Sequence, residues 1–161
     1  MKSQKAIVFL TRSAIIASVY AVLTIICAPI SYGAIQFRLS EALTILPFYF
    51  PEAIPGLFVG CIIANIFSTV SVWDILIGSS ATLFAAIITY RLKIKWLAPL
   101  PPIIFNGLFV GFEISFFISN SKSFLYNFLF NSLSVGIGEA VVCYTIGMIL
   151  IYILDKTNLL K

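Results

Sequence analysis

Ser40-Glu41-Ala42-Leu43-Thr44-Ile45-Leu46-Pro47-Phe48-Tyr49-Phe50, then Pro51-Glu52-Ala53-Ile54-Pro55-Gly56, then the apolar run 57–70: the reading of this stretch decides the fold. Taken as one unit it is a single bent span. Taken as two it is a pair of short helices, about 40–50 and 55–70, parted by a Pro/Gly breaker. Ser40 suits an N-cap and Pro55 a first helical turn. Each half alone is short for a hydrocarbon core about 30 Å thick.

The flanks resolve the choice. Upstream, an apolar stretch at about 6–28 ends at Pro29 and, at ~1.5 Å per residue, reaches about 33 Å. Downstream lie apolar stretches at about 74–90, 99–118 and 124–154, with Arg91-Leu92-Lys93-Ile94-Lys95 after the first of them. With two short helices the chain crosses six times. Lys2, Lys5, Arg12, Arg91, Lys93, Lys95, Lys156 and Lys161 then share one side, leaving only Arg38 and Lys122 on the other. With a single bent span, the last five of those eight change sides. Basic residues concentrate on the cytoplasmic side, so the pattern selects six. The expected fold class is all-α: one integral membrane bundle over residues 1–161 with six transmembrane helices, both termini and the 91–95 loop cytoplasmic. The short second and third helices predict a thinned edge or burial behind neighbours.

Composition agrees. Apolar residues make up 61% and charged residues 10%, against roughly 45–50% and about 25% in soluble domains. The net charge of +4 is spread between apolar runs, so no nucleic-acid partner is expected. The chain lacks His, and Cys27, Cys61 and Cys143 stand far apart in apolar runs. They read as small buried hydrophobes, with no metal site, cofactor or disulfide framework expected. Met1–Lys5 and the run after it resemble a signal peptide, but the run exceeds an h-region of about 7–15 residues and no A-x-A closes it. It is expected to stay as the first membrane helix.

Ionisable groups inside spans are costly and mark function. Six spans put Arg38 and Glu41 at the outer mouth of the second, Asn65 in the outer half of the third, and Asp74 at the outer start of the fourth. Glu113 falls in the outer half of the fifth and Asn127 and Asn131 in the outer part of the sixth. Asn106 and Glu139 fall near mid-membrane. Asn106 and Glu113 lie two helical turns apart on one face, and Asn127, Asn131 and Ser134 share another. The inner halves are apolar, which predicts an outward-facing ligand pocket and not a pore. Helix–helix hydrogen bonding is the competing reading for each Asn, and a helix N-terminus for Glu41 and Asp74. Acids outnumber Arg38 here, so the pocket suits a cation or a ligand rich in N–H donors. Tyr32, Phe37, Trp73, Phe109, Phe112, Phe116 and Tyr126 are candidates to stack on a flat ring, or else interfacial aromatics.

On the first helix, Ala14-x-x-x-Ser18 and Ala17-x-x-x-Ala21 set small residues one turn apart. Such stripes admit a close neighbour, from the same chain or from a partner. The chain has no G-x-x-x-x-G-K-[ST], H-E-x-x-H or G-x-S-x-G pattern, so ATP binding of that kind and the usual hydrolase sites are excluded.

The runs Ile35-Gln36-Phe37-Arg38-Leu39-Ser40-Glu41-Ala42-Leu43, Ala53-Ile54-Pro55-Gly56-Leu57-Phe58-Val59-Gly60-Cys61-Ile62-Ile63-Ala64-Asn65, Trp73-Asp74-Ile75-Leu76-Ile77-Gly78-Ser79 and Val135-Gly136-Ile137-Gly138-Glu139 resemble the QueT family. The resemblance covers about residues 6–154. It implies the S-component of an energy-coupling factor (ECF) transporter: six helices, an outward pocket, and a small-molecule substrate that is a queuosine precursor, a 7-deazaguanine. The implied partners are a transmembrane coupling protein and two cytoplasmic ATPases, with Ala14, Ala17, Ser18 and Ala21 as candidate contacts. The candidate substrate-binding residues are Arg38, Glu41, Asn65, Asp74, Asn106, Glu113 and Glu139. Three readings stand beside it: an S-component for another vitamin such as thiamin or riboflavin, an intramembrane enzyme using Asp or Glu, and a pure assembly protein.

Overall fold

The computed structural model describes residues 2–31, 37–68, 72–118 and 123–157. Tyr32, Ile35, Gln36, Lys122, Lys161 and positions 69–70 of the third segment lie outside them. Among the described residues every regular element is helical. The elements are α1 (Lys2–Ile26), α2 (Ala28–Ser31), a 3-10 helix (Leu39–Phe48), α3 (Ala53–Ile66) and α4 (Asp74–Arg91). A short 3-10 turn (Lys95–Leu97) then leads to α5 (Leu100–Glu113), which runs into a π turn (Ile114–Ile118). The last segment is α6 (Phe124–Val142), a π turn (Cys143–Gly147) and α7 (Met148–Lys156). Three stretches, Ser3–Ile26, Lys95–Phe117 and Phe124–Lys156, are long and apolar enough to cross a membrane.

Side-chain pairings give the direction of each segment. Tyr20 meets Glu41, Thr24 meets Ser40 and Arg12 meets Glu52, so the 3-10 helix runs against α1. Gly56 abuts Ser13 and Gly60 abuts Ala17, so α3 runs with α1. Asn65 reaches Asp74 and Cys61 meets Thr82, which sets α4 against α3. Phe84 packs on Phe105, and Trp73 on Phe117, turning α5 against α4. Asn106 bonds Glu139 and Gly111 abuts Ser132, turning α6 against α5. The direction alternates at every step, and the first and last described residues fall at the same end of the bundle.

The second segment departs from the sequence reading. It is a 3-10 helix from Leu39, and Ser40 is not its cap. Arg38 holds the cap position without a side-chain bond to the helix's own first turn, and the Ser40 hydroxyl pairs with Thr24 at 2.6 Å inside the fold. Ten residues at ~2.0 Å each cover about 20 Å, where an α-helix would cover about 15 Å. Ser40, Glu41, Ala42, Thr44, Ile45, Leu46 and Pro47 are all buried. Its shortness is thus met by burial at the centre of the bundle. By contrast α3 buries one stripe (Ala53, Gly56, Leu57, Gly60, Ala64) and exposes Val59, Ile63 and Ile66.

The seam between α1 and α3 explains the small residues. A Cβ on Gly60 would lie 2.7 Å from the Ala17 carbonyl oxygen and 3.0 Å from its Cα, both backbone atoms unable to yield. Gly60→Ala is therefore expected to cost about 1–3 kcal/mol of unfolding free energy by overpacking. Gly136→Ala, whose Cβ would meet nothing closer than 3.9 Å, should stay within about 0.5 kcal/mol of the parent. Denaturant unfolding of both variants in one detergent checks this; equal stability would show that α1 and α3 part freely. Ala17 is buried in this seam and Ala21 is buried one turn on, whereas Ala14 and Ser18 face outward.

At the end that carries the termini, Lys95 Nζ contacts both Asp155 carboxylate oxygens at 2.7 and 2.8 Å, and the Tyr49 hydroxyl donates to Asp155 at 2.9 Å. This half-exposed clasp adds little stability, but it ties the 3-10 helix to α7.

Candidate functional site

Toward the opposite end, an extended backbone at Arg38 feeds its side chain into the bundle. The Arg38 guanidinium is buried, and its Nη2 donates to Asp74 Oδ2 at 2.9 Å. Asp74 opens α4, as the sequence placed it, yet its carboxylate faces Arg38. It accepts a second bond from the Ser68 hydroxyl at 2.7 Å. The Asn65 amide donates to the Asp74 carbonyl oxygen at 2.8 Å. One turn on, Gly78 makes room: a Cβ there would collide with the Asp74 carboxylate and the Asn65 amide. The W-D-x-x-x-G spacing is thereby explained, since only glycine at the fourth position admits the carboxylate.

A second set of polar groups adjoins the first. The Tyr20 hydroxyl of α1 donates to Glu41 Oε1. Asn106 Nδ2 donates to Glu139 Oε1 at 3.1 Å, and Cys143 approaches Glu139 Oε2 at 3.9 Å. Asn106 also stands within polar reach of Glu41, outside good hydrogen-bond geometry, and Glu41 lies within electrostatic reach of Arg38, Asp74 and Glu139. Arg38, Glu41, Asn65, Asp74, Asn106 and Glu139 thus form one cluster, each at most 2% exposed. Glu113 is buried on the same face of α5, about 10 Å farther along than Asn106. Asn131 points elsewhere, donating to the Ser115 hydroxyl at 3.0 Å.

The chemistry of the cluster is set by its surplus of acceptors. Three carboxyl groups face one guanidinium. Glu41 Oε2, Asn65 Oδ1, Asp74 Oδ1 and Asn106 Oδ1 are buried and accept no hydrogen bond from the described residues. A buried polar atom left unpaired costs about 1–3 kcal/mol. Such a site gains most from a partner that brings several N–H donors or a positive charge. Among the described residues no group of His, Cys, Asp and Glu has the arrangement of a metal site.

The aromatic candidates lie mostly on the outside. Trp73 stacks on Phe117 and Phe112 on Phe116, and Trp73, Phe112, Phe116 and Tyr126 are exposed. The aromatic residue inside the cluster is Tyr20, which the sequence reading passed over. Its signal was available: a Tyr in the middle of an apolar helix needs a partner for its hydroxyl. Ser68 and Cys143 were also missed, and nothing in their spacing marks them.

No solved structure matches the chain. A curated protein of Lactococcus lactis subsp. cremoris (strain MG1363), named queuosine precursor transporter QueT, is 40% identical over 72 residues. That match spans 44% of this chain and 42% of the relative. The family described as QueT transporter matches residues 10–156. It is a family of transporters and not of enzymes, and with nearly its whole length matched the chain belongs to the QueT transporter family.

Proposed function

We propose that this membrane protein is the substrate-binding S-component of an ECF-type ABC transporter, capturing a queuosine precursor of the 7-deazaguanine type for ATP-driven uptake. The observation that carries the proposal is the buried cluster of Arg38, Glu41, Asp74, Asn106 and Glu139, rich in unpaired acceptors, inside an apolar bundle. A 7-aminomethyl-7-deazaguanine offers a cationic amine and an N–H edge to the carboxylates, and a carbonyl to Arg38 or an Asn amide. Family membership and the printed name of the Lactococcus relative support the same substrate.

In this reading the chain spans the membrane six times and the pocket opens outward. Support comes from the alternation of six segments and from Lys5, Arg12, Arg91, Lys93, Lys95 and Lys156 all falling at the end that carries the termini. That end is then cytoplasmic. Uphill movement draws on ATP hydrolysed by two cytoplasmic ATPases through a transmembrane coupling protein. The coupling protein meets α1 on the exposed Ala14 and Ser18 side, since α3 already occupies Ala17 and Ala21 is buried.

The test is thermal unfolding of the detergent-purified chain with 7-aminomethyl-7-deazaguanine, its nitrile analogue, guanine, thiamin and riboflavin. A ligand at 100 times its dissociation constant should add about 2.7 kcal/mol. Stabilisation by a deazaguanine, lost on Glu139→Ala, is the expected result. Stabilisation by thiamin or riboflavin alone overturns the substrate, and silence from all five overturns the binding role.

A further inference from the structure

Away from the cluster, two grooves meet at the Arg12–Glu52 ion pair. The outer one, 450 Å³, is lined by Gln4, Lys5, Val8 and Phe9 together with the pair. The inner one, 280 Å³, is lined by Ile15, Ile16, Leu46, Phe50 and Leu154 with the same pair. Along α1 the lining therefore passes from basic to apolar, with Lys5 about 10 Å nearer the helix start than Arg12. The molecule that fits such a sequence is an amphiphile with an anionic head.

We propose that this end of α1 holds an anionic glycerophospholipid, its phosphate between Lys5 and Arg12 and one acyl chain in the inner groove. The inference rests on the membrane-spanning reading above. Arg12 Nη1 donates to Glu52 Oε1 at 2.7 Å while its side chain stays 54% exposed. A guanidinium carries five N–H donors in a fixed fork, so one bond to Glu52 leaves the others for a phosphate. Glu52 is the acid lining both grooves, and its carboxylate is held against Arg12 and only 9% exposed. A phosphate approaching from the Lys5 side meets the exposed cations first. Ser13 fixes the backbone of this corner, donating to the Glu52 carbonyl oxygen at 2.8 Å, so the grooves are preformed. Glu52 offsets the charge of Arg12, Lys5 leaves this corner net positive, and the cytoplasmic leaflet supplies anionic headgroups at this level.

Native mass spectrometry of the full chain, ejected from nanodiscs of equal phosphatidylglycerol and phosphatidylcholine, reads the retained lipid. Phosphatidylglycerol is expected to be retained preferentially, and Lys5→Gln and Arg12→Gln should each cut the preference about fivefold. Lys5→Gln removes an exposed charge, so its effect is not misfolding. Lys93→Gln, a cation that lines neither groove, should leave the preference intact. Equal retention of the two lipids overturns the proposal, as does a preference that survives the Lys5→Gln/Arg12→Gln pair. So does equal stabilisation by inorganic phosphate alone, which would make this an ion site. A deazaguanine titration on the same samples separates the two readings: its failure with the lipid preference intact overturns only the substrate proposal.

Discussion

Asp74→Ala is expected to lower the unfolding free energy by about 3–5 kcal/mol, the largest effect of any single substitution in this chain. The guanidinium of Arg38 is buried, and Asp74 accepts from it at 2.9 Å. Removing one partner of a buried pair strands the other charge without solvent, at about that cost. The loss is compounded by the bond the Asp74 carboxylate accepts from Ser68, whereas the backbone carbonyl that accepts from Asn65 survives in alanine. Chemical denaturation in detergent measures the change. Replacing both partners, Arg38→Met with Asp74→Leu, should recover part of the stability, because the two charges of the pair are then removed together, while Glu41 and Glu139 still lose their cation. A single variant that loses less than about 1 kcal/mol would mean that the pair does not carry the end of the bundle opposite the termini.

On the binding role proposed above, Glu41→Gln is expected to leave the fold intact and to weaken ligand binding about 10- to 100-fold, or ~1.4–2.8 kcal/mol. The amide keeps an oxygen for the Tyr20 hydroxyl, which now meets Glu41 Oε1. Its other end becomes an N–H₂ where Oε2 offered an acceptor, so a ligand N–H or ammonium meets a donor. Isothermal titration with the deazaguanine that stabilises the parent reads the change. Asn131→Ala, which alters a residue bonded to Ser115 and not to the cluster, should keep affinity within about twofold. Unchanged affinity in Glu41→Gln would move the donor contacts to Asp74 and Glu139.

The division into helical segments was legible in the sequence because apolar runs parted by Pro, Gly and charge leave the chain few other choices. Their bounds moved by a few residues, with α3 at Ala53–Ile66 where 55–70 was expected. The 3-10 form of Leu39–Phe48 was hidden because the polarity of a fully buried segment has no period from which to choose between three and 3.6 residues per turn. The small-residue stripes left the partner open, and geometry divided them: Ala17 goes to α3 and Ala21 is buried, while Ala14 and Ser18 remain outside. Within the cluster, six of the seven candidate residues converge, since buried charge is too costly to scatter. Their pairings were not legible. Asp74 satisfies a helix N-terminus rule, yet its carboxylate answers to Arg38, 36 positions away, a contact that only tertiary packing creates.

Closure of the cluster has a kinetic meaning. Arg38, Glu41, Asp74, Asn106 and Glu139 are at most 2% exposed, so no ring-sized molecule reaches them by diffusion alone. On the binding role proposed above, with the pocket reached from the outer side, capture waits for the helices to part there. The observed association rate then climbs with ligand concentration only until it equals the rate of opening, and levels off there. Departure waits on the same motion, which lengthens the residence of whatever has been caught.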